Sequence, residues 1–224
     1  MKFTLKSLFF TLLVAACGAN ANAADELVNV DLNQIEVDMA MNPANYNQLL
    51  DRFVKADTTL TNAEMAYLYL GQGFSPQYDP YQAYPLLMNA YDSQDYDTAA
   101  SLAEAVVDEN PMSLDLLITA LVAATRSGNV DMSLQLQPRL NLLVDCIVST
   151  GKGTNAAEPF YVASTADLRQ FLRNILGITN VVETTTVGNG DVEAWKVRLP
   201  DSEREHILYF NNSLEHRFDT THRK

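Results

Sequence analysis

Between Asn45 and Ile147, the apolar residues of this chain recur almost everywhere at intervals of three and four positions. Residues at these intervals share one face of an α-helix, and such a face is stable only when it is buried against a neighbour. The region therefore predicts several short helices packed as antiparallel hairpins. The clearest runs are Tyr46, Leu49, Leu50 and Phe53; Ala99, Leu102, Ala103 and Val106; Leu114, Leu117, Ile118 and Leu121; and Leu140, Leu143, Val144 and Ile147.

Local signals place the ends of two of these helices. Thr61 followed by Glu64 forms a capping box, and Gly71 is placed to end the helix that begins there. Pro138 lies inside the last helical segment, where its missing N–H predicts a kink or a break.

The pattern changes after the polar, glycine-bearing loop from Ser149 to Glu158. Beyond it, Ser164 and Asp167 cap a further helix, and segments rich in β-branched residues predict strands. Residues 188–191 carry the glycines and asparagine of a hairpin turn. The predicted strands are Pro159–Ala163, Val181–Val187, Val192–Leu199 and Ile207–Phe210, and the tail from Thr220 to Lys224 is expected to be loose.

Together these segments predict an α+β fold with two regions. Residues 24–150 form the helical region, and residues 151–224 form a small α+β region in which a helix packs on an antiparallel sheet.

The first 23 residues have the pattern of an export signal. Lys2 and Lys6 precede a short apolar run, and the small residues of 21–23 (Ala-Asn-Ala) predict cleavage after Ala23. The alternative is lipidation at Cys17, because residues 14–17 (Val-Ala-Ala-Cys) resemble the lipobox of bacterial lipoproteins. We therefore expect an exported protein, periplasmic or secreted, or else a membrane-anchored lipoprotein. No apolar run reaches the ~20 residues that a spanning helix needs.

Composition excludes several classes of function. The formal net charge is −13, from 15 basic and 28 acidic residues, so nucleic acid is not expected as a partner. The hydrophobic fraction of 47% is sufficient for a buried core and argues against a disordered chain.

No pattern identifies catalytic residues, a metal site or a cofactor. The three histidines lie in the last 19 residues without metal-ligand spacing. Ser149 and Lys152 have the spacing of the Ser-x-x-Lys motif, but the other motifs of that chemistry are absent. The sequence thus favours a protein that is not an enzyme.

Six of the ten tyrosines lie between Tyr67 and Tyr91. Tyr67 and Tyr69 are two positions apart and cannot share one helix face, so at least one should point away from the core. Since tyrosine is enriched at interfaces, the cluster predicts a partner-binding surface. The alternative is that the rings pack the loop from Gln72 to Pro80 onto the helices. The predicted binding residues are Tyr67, Tyr69, Tyr78 and Tyr81.

The helical region resembles tetratricopeptide repeats between residues 81 and 148. Ala99, Pro111 and Gly128 have the spacing of the small residue, the proline and the turn glycine of that repeat. The chain departs from the repeat at Gln94, where glycine is usual, and at Ser133, where alanine is usual. The resemblance implies one or two degenerate helical hairpins, which often present a groove to a partner.

Three further blocks are similar to an uncharacterised family of exported bacterial proteins, classed as a domain of unknown function. The blocks are Leu60–Gly71 with its Tyr-Leu-Tyr-Leu-Gly end, together with Tyr78 and Pro80–Tyr81; Ser149–Gly153; and Ile207–Asn211. The chain departs from the family at Arg169 and Gln170, where an acidic residue beside a tyrosine is expected. The resemblance implies export and a helical-plus-sheet fold, and it brings no known activity.

The expected function is that of a non-enzymatic accessory protein that binds a protein or peptide partner in the cell envelope. The alternative is a glycan-binding protein or a hydrolase that uses acidic residues near the 149–158 loop. A third hypothesis is a purely structural envelope protein.

Overall fold

The computed structural model describes residues 27–199 and 204–222. The predicted signal peptide of residues 1–23, its cleavage site and Cys17 lie outside these residues. The described part contains nine α-helices and four strands, so the predicted α+β class is confirmed. The helices are α1 (Leu32–Met41), α2 (Pro43–Val54), α3 (Asn62–Gly71), α4 (Pro85–Asp92), α5 (Tyr96–Val106), α6 (Leu114–Ser127), α7 (Val130–Ser149), α8 (Thr165–Gln170) and α9 (Ser213–His222). The strands are β1 (Phe160–Tyr161), β2 (Asn180–Val187), β3 (Val192–Arg198) and β4 (Glu205–Asn211).

The four strands form one sheet in the order β1-β4-β3-β2. β2, β3 and β4 are antiparallel, as predicted, but β1 is parallel to β4 and makes the sheet mixed. The sequence predicts the antiparallel pairing of β2, β3 and β4 but gives no signal for the parallel pairing of β1. Alternation of polarity predicts which face of a strand is buried, but it carries no information on the direction of the neighbouring strand.

Helix α6 lies at the centre of the helical region and contacts α5, α7 and α8. Nine of its residues are buried, including Leu114, Leu117 and Leu121, because neighbours cover it on several sides. Residues from both predicted regions, among them Leu143, Phe171 and Trp195, belong to one continuous hydrophobic core. The likeness of α4–α7 to tetratricopeptide hairpins stays a prediction. No helix in the described ranges has the length and apolar character needed to cross a membrane.

Helix α3 begins with the predicted capping box. The Thr61 hydroxyl accepts the Glu64 N–H, and the Glu64 carboxylate accepts the Thr61 N–H. The helix ends at Gly71 but not through a left-handed glycine. Gly71 has a φ of −60°, and the chain continues as a 3₁₀ turn over Gln72–Phe74. A Cβ at Gly71 would lie 3.1 Å from the Tyr46 ring and 3.2 Å from the Met39 sulfur, so the close approach of α1 and α2 favours glycine here.

A break at Pro138 and a loose segment over residues 220–222, both expected from the sequence, are not found in the described residues. Helix α7 passes through Pro138 without a break. The carbonyl that loses its helical partner belongs to Leu134, which is 68% exposed, and water can hydrogen-bond to it there. At the C-terminus, residues 220–222 belong to α9 and are not loose, because the His222 ring stacks on Phe218 at a centroid distance of 4.3 Å.

Helix α4 ends in a hydrogen-bonded turn that normally contains glycine. The Asp95 N–H donates to the Ala90 carbonyl at 2.9 Å, and the Gln94 N–H donates to the Tyr91 carbonyl at 3.0 Å. This is the Schellman arrangement, and it places Gln94 in the left-handed region with a φ of 61°. The tertiary contacts of α4 and α5 therefore hold Gln94 in a strained conformation.

Replacement of Gln94 by glycine should stabilise the protein. Glycine removes a left-handed strain of roughly 1–2 kcal/mol but adds disorder to the unfolded chain, so we expect a net gain of about 0.5–1 kcal/mol. The measurement is the free energy of unfolding in urea. Gln135→Gly, at an exposed position within α7, is the control and should lose about 1 kcal/mol. Equal losses in both variants would contradict strain at Gln94.

Candidate functional site

Tyr69 connects the helical region to the start of α8. It lies on α3 with 0% of its surface exposed. Its hydroxyl donates to Asp167 Oδ2 at 2.9 Å and accepts the Ala163 N–H at 2.9 Å. These contacts join residues that are 98 and 94 positions apart in the chain. A buried hydroxyl with both of its partners in place stabilises the orientation of α8 against α3.

Asp167 accepts hydrogen bonds from two helices. Its Oδ1 accepts the Asp115 N–H of α6 at 3.1 Å, and its own N–H donates to Ser164 Oγ at 3.1 Å. Burial raises the pKa of Asp167 from 3.8 to about 7, despite these donors. Burial also raises the pKa of Asp115, whose carboxylate accepts a hydrogen bond from the Gln170 amide.

A cleft of about 280 Å³ opens beside this hydrogen-bonded group. We call it the acidic cleft. Its walls come from α2, the loop before α4, the loop before α6 and the start of α8. Its lining includes Tyr46, Tyr78, Tyr84, Asp79, Glu109, Asp115 and Asp167. Among the described residues that line it there is no lysine, arginine or histidine. Aromatic rings and carboxylates around one small space favour a cationic group.

The predicted tyrosines have different positions in the structure. Tyr69 is fully buried and has no exposed surface through which it could contact a partner directly. Tyr67 is half-buried, with its ring edge-on to Tyr46 at 6.1 Å. Tyr78 lines the acidic cleft, and its hydroxyl donates to the Ala163 carbonyl. Tyr81 is 40% exposed, and its hydroxyl contacts carboxylates of α9.

The structure thus shows packing of the 72–84 loop by its tyrosines, which was the alternative interpretation of the cluster. The Tyr78 hydroxyl bonds the loop to the Ala163 carbonyl, two residues before α8. The Tyr81 hydroxyl bonds the loop to α9, at 3.1 Å from Glu215 Oε1 and 3.0 Å from Asp219 Oδ1. Packing and binding are compatible, because the ring of Tyr78 still lines the acidic cleft.

A second, more apolar cleft of about 610 Å³ lies on the other side of the same loop. It is lined by Phe74, Phe218 and Met39 and shares Tyr46 and Tyr78 with the acidic cleft. Arg217 closes one side, with its guanidinium 4.8 Å from the Phe74 ring centroid and an ion pair to Glu36. The aromatic surface around the loop is therefore continuous between two clefts.

The hydrogen-bonded roles of Asp167 and Asp115 have no signal in the sequence. The sequence predicts Asp167 only as part of a helix cap, but the cap is Ser164, whose hydroxyl accepts the Asp167 N–H. The Asp167 carboxylate accepts hydrogen bonds from Tyr69 and Asp115 instead. A carboxylate in the first turn of a helix is ordinary, and no local signal distinguishes one that accepts a hydrogen bond from a distant tyrosine.

The alternative function is placed at the 149–158 loop, and the contacts of this loop hold it together and attach it to the sheet. Lys152 and Glu158 form an ion pair at 2.7 Å, and the Gly153 carbonyl accepts the Tyr209 N–H of β4. The hydrogen bond from Lys152 lowers the pKa of Glu158. A lowered pKa keeps the carboxylate ionised, which suits an ion pair and does not suit a general acid.

No three histidine, cysteine, aspartate or glutamate side chains of residues 27–199 and 204–222 group closely enough to hold a metal ion.

Loss of the Tyr69 hydroxyl should destabilise the fold. Tyr69→Phe leaves Asp167 Oδ2 and the Ala163 N–H without that partner, at a cost of about 2 kcal/mol or more. Tyr91→Phe is the control, because no hydrogen bond of its hydroxyl is present in the described part of the chain, and it should change stability by less than about 0.5 kcal/mol. Urea unfolding measures both. Similar small losses would show that the buried hydrogen bonds contribute little.

Stability should fall as the pH rises from about 4 to about 7. The pKa of Asp167 is about 7 in the folded protein and 3.8 as a free side chain, so between these pH values the folded protein keeps a proton that the unfolded chain has released. Folding therefore binds a proton in this range, and the stability that this proton contributes is lost as the pH approaches 7. One such group contributes a slope of up to about 1.4 kcal/mol per pH unit. Asp167→Asn should remove this part of the slope. Asp97→Asn, at an exposed residue in the first turn of α5, should keep it. Equal slopes in wild type and Asp167→Asn would contradict the raised pKa.

Comparison with known proteins gives one match. A family model described as Domain of unknown function (DUF4919) matches residues 33–218, which include every helix except the first residue of α1 and the end of α9. No curated protein and no solved structure matches the chain. Because the match spans most of the sequence, the chain belongs to the family described as Domain of unknown function (DUF4919).

Proposed function

We propose that the chain is an exported, non-enzymatic accessory protein that binds a protein or peptide partner in the cell envelope. The observation that carries the proposal is the acidic cleft, in which tyrosine rings and carboxylates surround a space without a basic residue among the described residues that line it. Export rests on the signal pattern of residues 1–23 and on the resemblance described above.

The size of the acidic cleft favours one side chain of a larger partner. Its volume of about 280 Å³ is at the lower limit of the roughly 300–1,000 Å³ that small-molecule sites occupy. A lysine or arginine side chain fits such a space and leaves the rest of the partner outside. The partner we propose therefore presents a basic side chain to this cleft.

The charge that attracts this side chain comes from the rim. Asp79 and Glu109 are exposed at the cleft, whereas Asp167 is 2% exposed and already accepts two hydrogen bonds. The rings of Tyr78 and Tyr84 supply flat aromatic surface beside the carboxylates. This combination is typical of sites that hold guanidinium or ammonium groups.

An apolar contact surface lies close to the cleft. Leu86 is 70% exposed at the start of α4, two residues after Tyr84. The sequence of residues 81–148 resembles tetratricopeptide hairpins, and such hairpins commonly bind extended peptides. A partner anchored in the cleft can therefore continue along α4.

A charge reversal at the rim tests this proposal. Glu109→Lys should reduce recovery of a crosslinked envelope partner about tenfold or more, because it places a cation where we expect the basic side chain. Glu104→Lys makes the same change at an exposed position of α5 outside the cleft and should leave recovery unchanged. Thermal unfolding confirms that both variants fold.

A defined probe completes the test. The wild type should bind a blocked glycine–arginine–glycine tripeptide more tightly than the glycine–glutamine–glycine analogue, and Glu109→Lys should abolish the difference. Equal binding of both tripeptides, together with equal partner recovery by both variants, would refute the acidic cleft as the binding site.

A further inference from the structure

We propose a second binding site, separate from the acidic cleft, at which an extended acidic segment of a partner protein adds to the free edge of β2 and places its carboxylates against Arg169 and Arg173. This proposal does not depend on the function proposed above, since it rests on different residues.

The first observation is the exposed edge of the sheet. β2 is the outermost strand, and seven of its eight residues are exposed. Six of the eight are β-branched, none is proline and only Glu183 is charged. Edge strands are normally protected by shortness, proline, several charges or a β-bulge, and the irregularity of β2 is confined to Val181–Glu183. At the other edge, β1 has only two residues. The register of β2 shifts between Val181 and Glu183, so the regular part of its free edge, Glu183–Val187, is the part that can pair with an added strand.

The second observation is a cleft of about 710 Å³ above the same strand. We call it the basic cleft. One wall is the face of the sheet that carries Thr184 and Thr186, which pair with Trp195 and Glu193 of β3. The other wall is α8 and the turn that follows it, from which Arg169 and Arg173 contribute.

The third observation is the charge of this cleft in an acidic protein. Arg169 and Arg173 are exposed, and within the described residues neither forms an ion pair. Glu193 also lines the cleft, but it already accepts the Trp195 indole N–H at 2.8 Å and lies 3.4 Å from His216. The two guanidinium groups are therefore available for carboxylates of a ligand.

The spacing of Arg169 and Arg173 matches the spacing of alternate side chains along an extended strand. They are four positions apart, on either side of the point where α8 widens into a π-helical turn over Phe171–Ile175. On an α-helix, the Cβ atoms of residues four positions apart lie about 6 Å from each other. Side chains on one face of a strand recur about every 6.6 Å, at alternate residues. Alternate carboxylates of an extended segment can therefore meet the two guanidinium groups together.

A second copy of this chain fits the site less well. The single carboxylate of β2, Glu183, pairs with Lys196 across the strands, with a contact at 3.2 Å. Glu183 is adjacent to Thr184 in the strand and so points to the opposite face from the basic cleft. A second β2 would bring no free carboxylate to Arg169 or Arg173, so we assign the site to a different, acidic segment.

The test uses fluorescent eight-residue peptides with the full chain. One peptide alternates valine and glutamate, and the other alternates valine and glutamine. Fluorescence anisotropy at low salt should show that the glutamate peptide binds at least about tenfold more tightly. Arg169→Gln and Arg173→Gln should each weaken its binding about tenfold and change binding of the glutamine peptide by less than about twofold. Arg126→Gln, on α6, is the control and should change neither.

Backbone pairing is tested in the peptide, so that the protein fold is untouched. Two versions of the glutamate peptide carry N-methyl groups on opposite sets of alternate residues. Strand addition uses the N–H groups of one set only, so one version should lose binding and the other should keep it. Equal binding of both versions, or no preference for glutamate over glutamine, would overturn the proposal. A dimer in sedimentation that Arg169→Gln leaves intact, and that excludes the peptides, would also overturn it and assign the edge to a second copy.

Discussion

The buried carboxylate of Asp167 is the interaction on which the arrangement of both candidate sites depends. A carboxylate in the interior is costly unless donors surround it, and here they come from the Tyr69 hydroxyl of α3 and the Asp115 N–H of α6. These donors fix the start of α8 against the helical region. The start of α8 and the two residues before it then line the acidic cleft through Ala163, Ser164, Ala166 and Asp167, whereas Thr165, Arg169 and Arg173 line the basic cleft.

The 72–84 loop is held both by hydrogen bonds of its tyrosines and by the packing of Phe74, Tyr78 and Tyr84 against the core. Tyr78 bonds to the backbone that precedes α8, and Tyr81 bonds to α9, so the loop bridges two elements that are distant in sequence. Because the hydroxyls anchor the loop, the rings keep fixed positions on the surface. A preorganised aromatic surface loses little conformational entropy when a partner binds. The two proposed sites differ in charge, which separates a basic from an acidic partner segment by electrostatic complementarity.

Much of the fold was predictable because local signals and tertiary packing agree. The capping box of Thr61 and Glu64, the hairpin between β2 and β3 and the helix that starts after Ser164 all lie where the sequence places them. The parallel pairing of β1 and the unbroken α7 were not predictable, since each depends on what lies next to the segment in space. The export signal and lipidation at Cys17 stay predictions.

The candidate site depends on long-range contacts that local sequence patterns do not predict. Spacing correctly separates Tyr67 and Tyr69 onto different faces of α3, but it does not show that neighbours cover the face of Tyr69 completely. Periodicity, capping and turn residues act over a few positions, so the sequence alone determines the helices, the hairpin and the acidic character. The convergence of Tyr69, Asp115 and Asp167 joins positions up to 98 residues apart, and only the packing of α3, α6 and α8 on one another brings them within hydrogen-bonding distance. The clefts follow from that packing, because their walls come from elements that have no local relation in the chain.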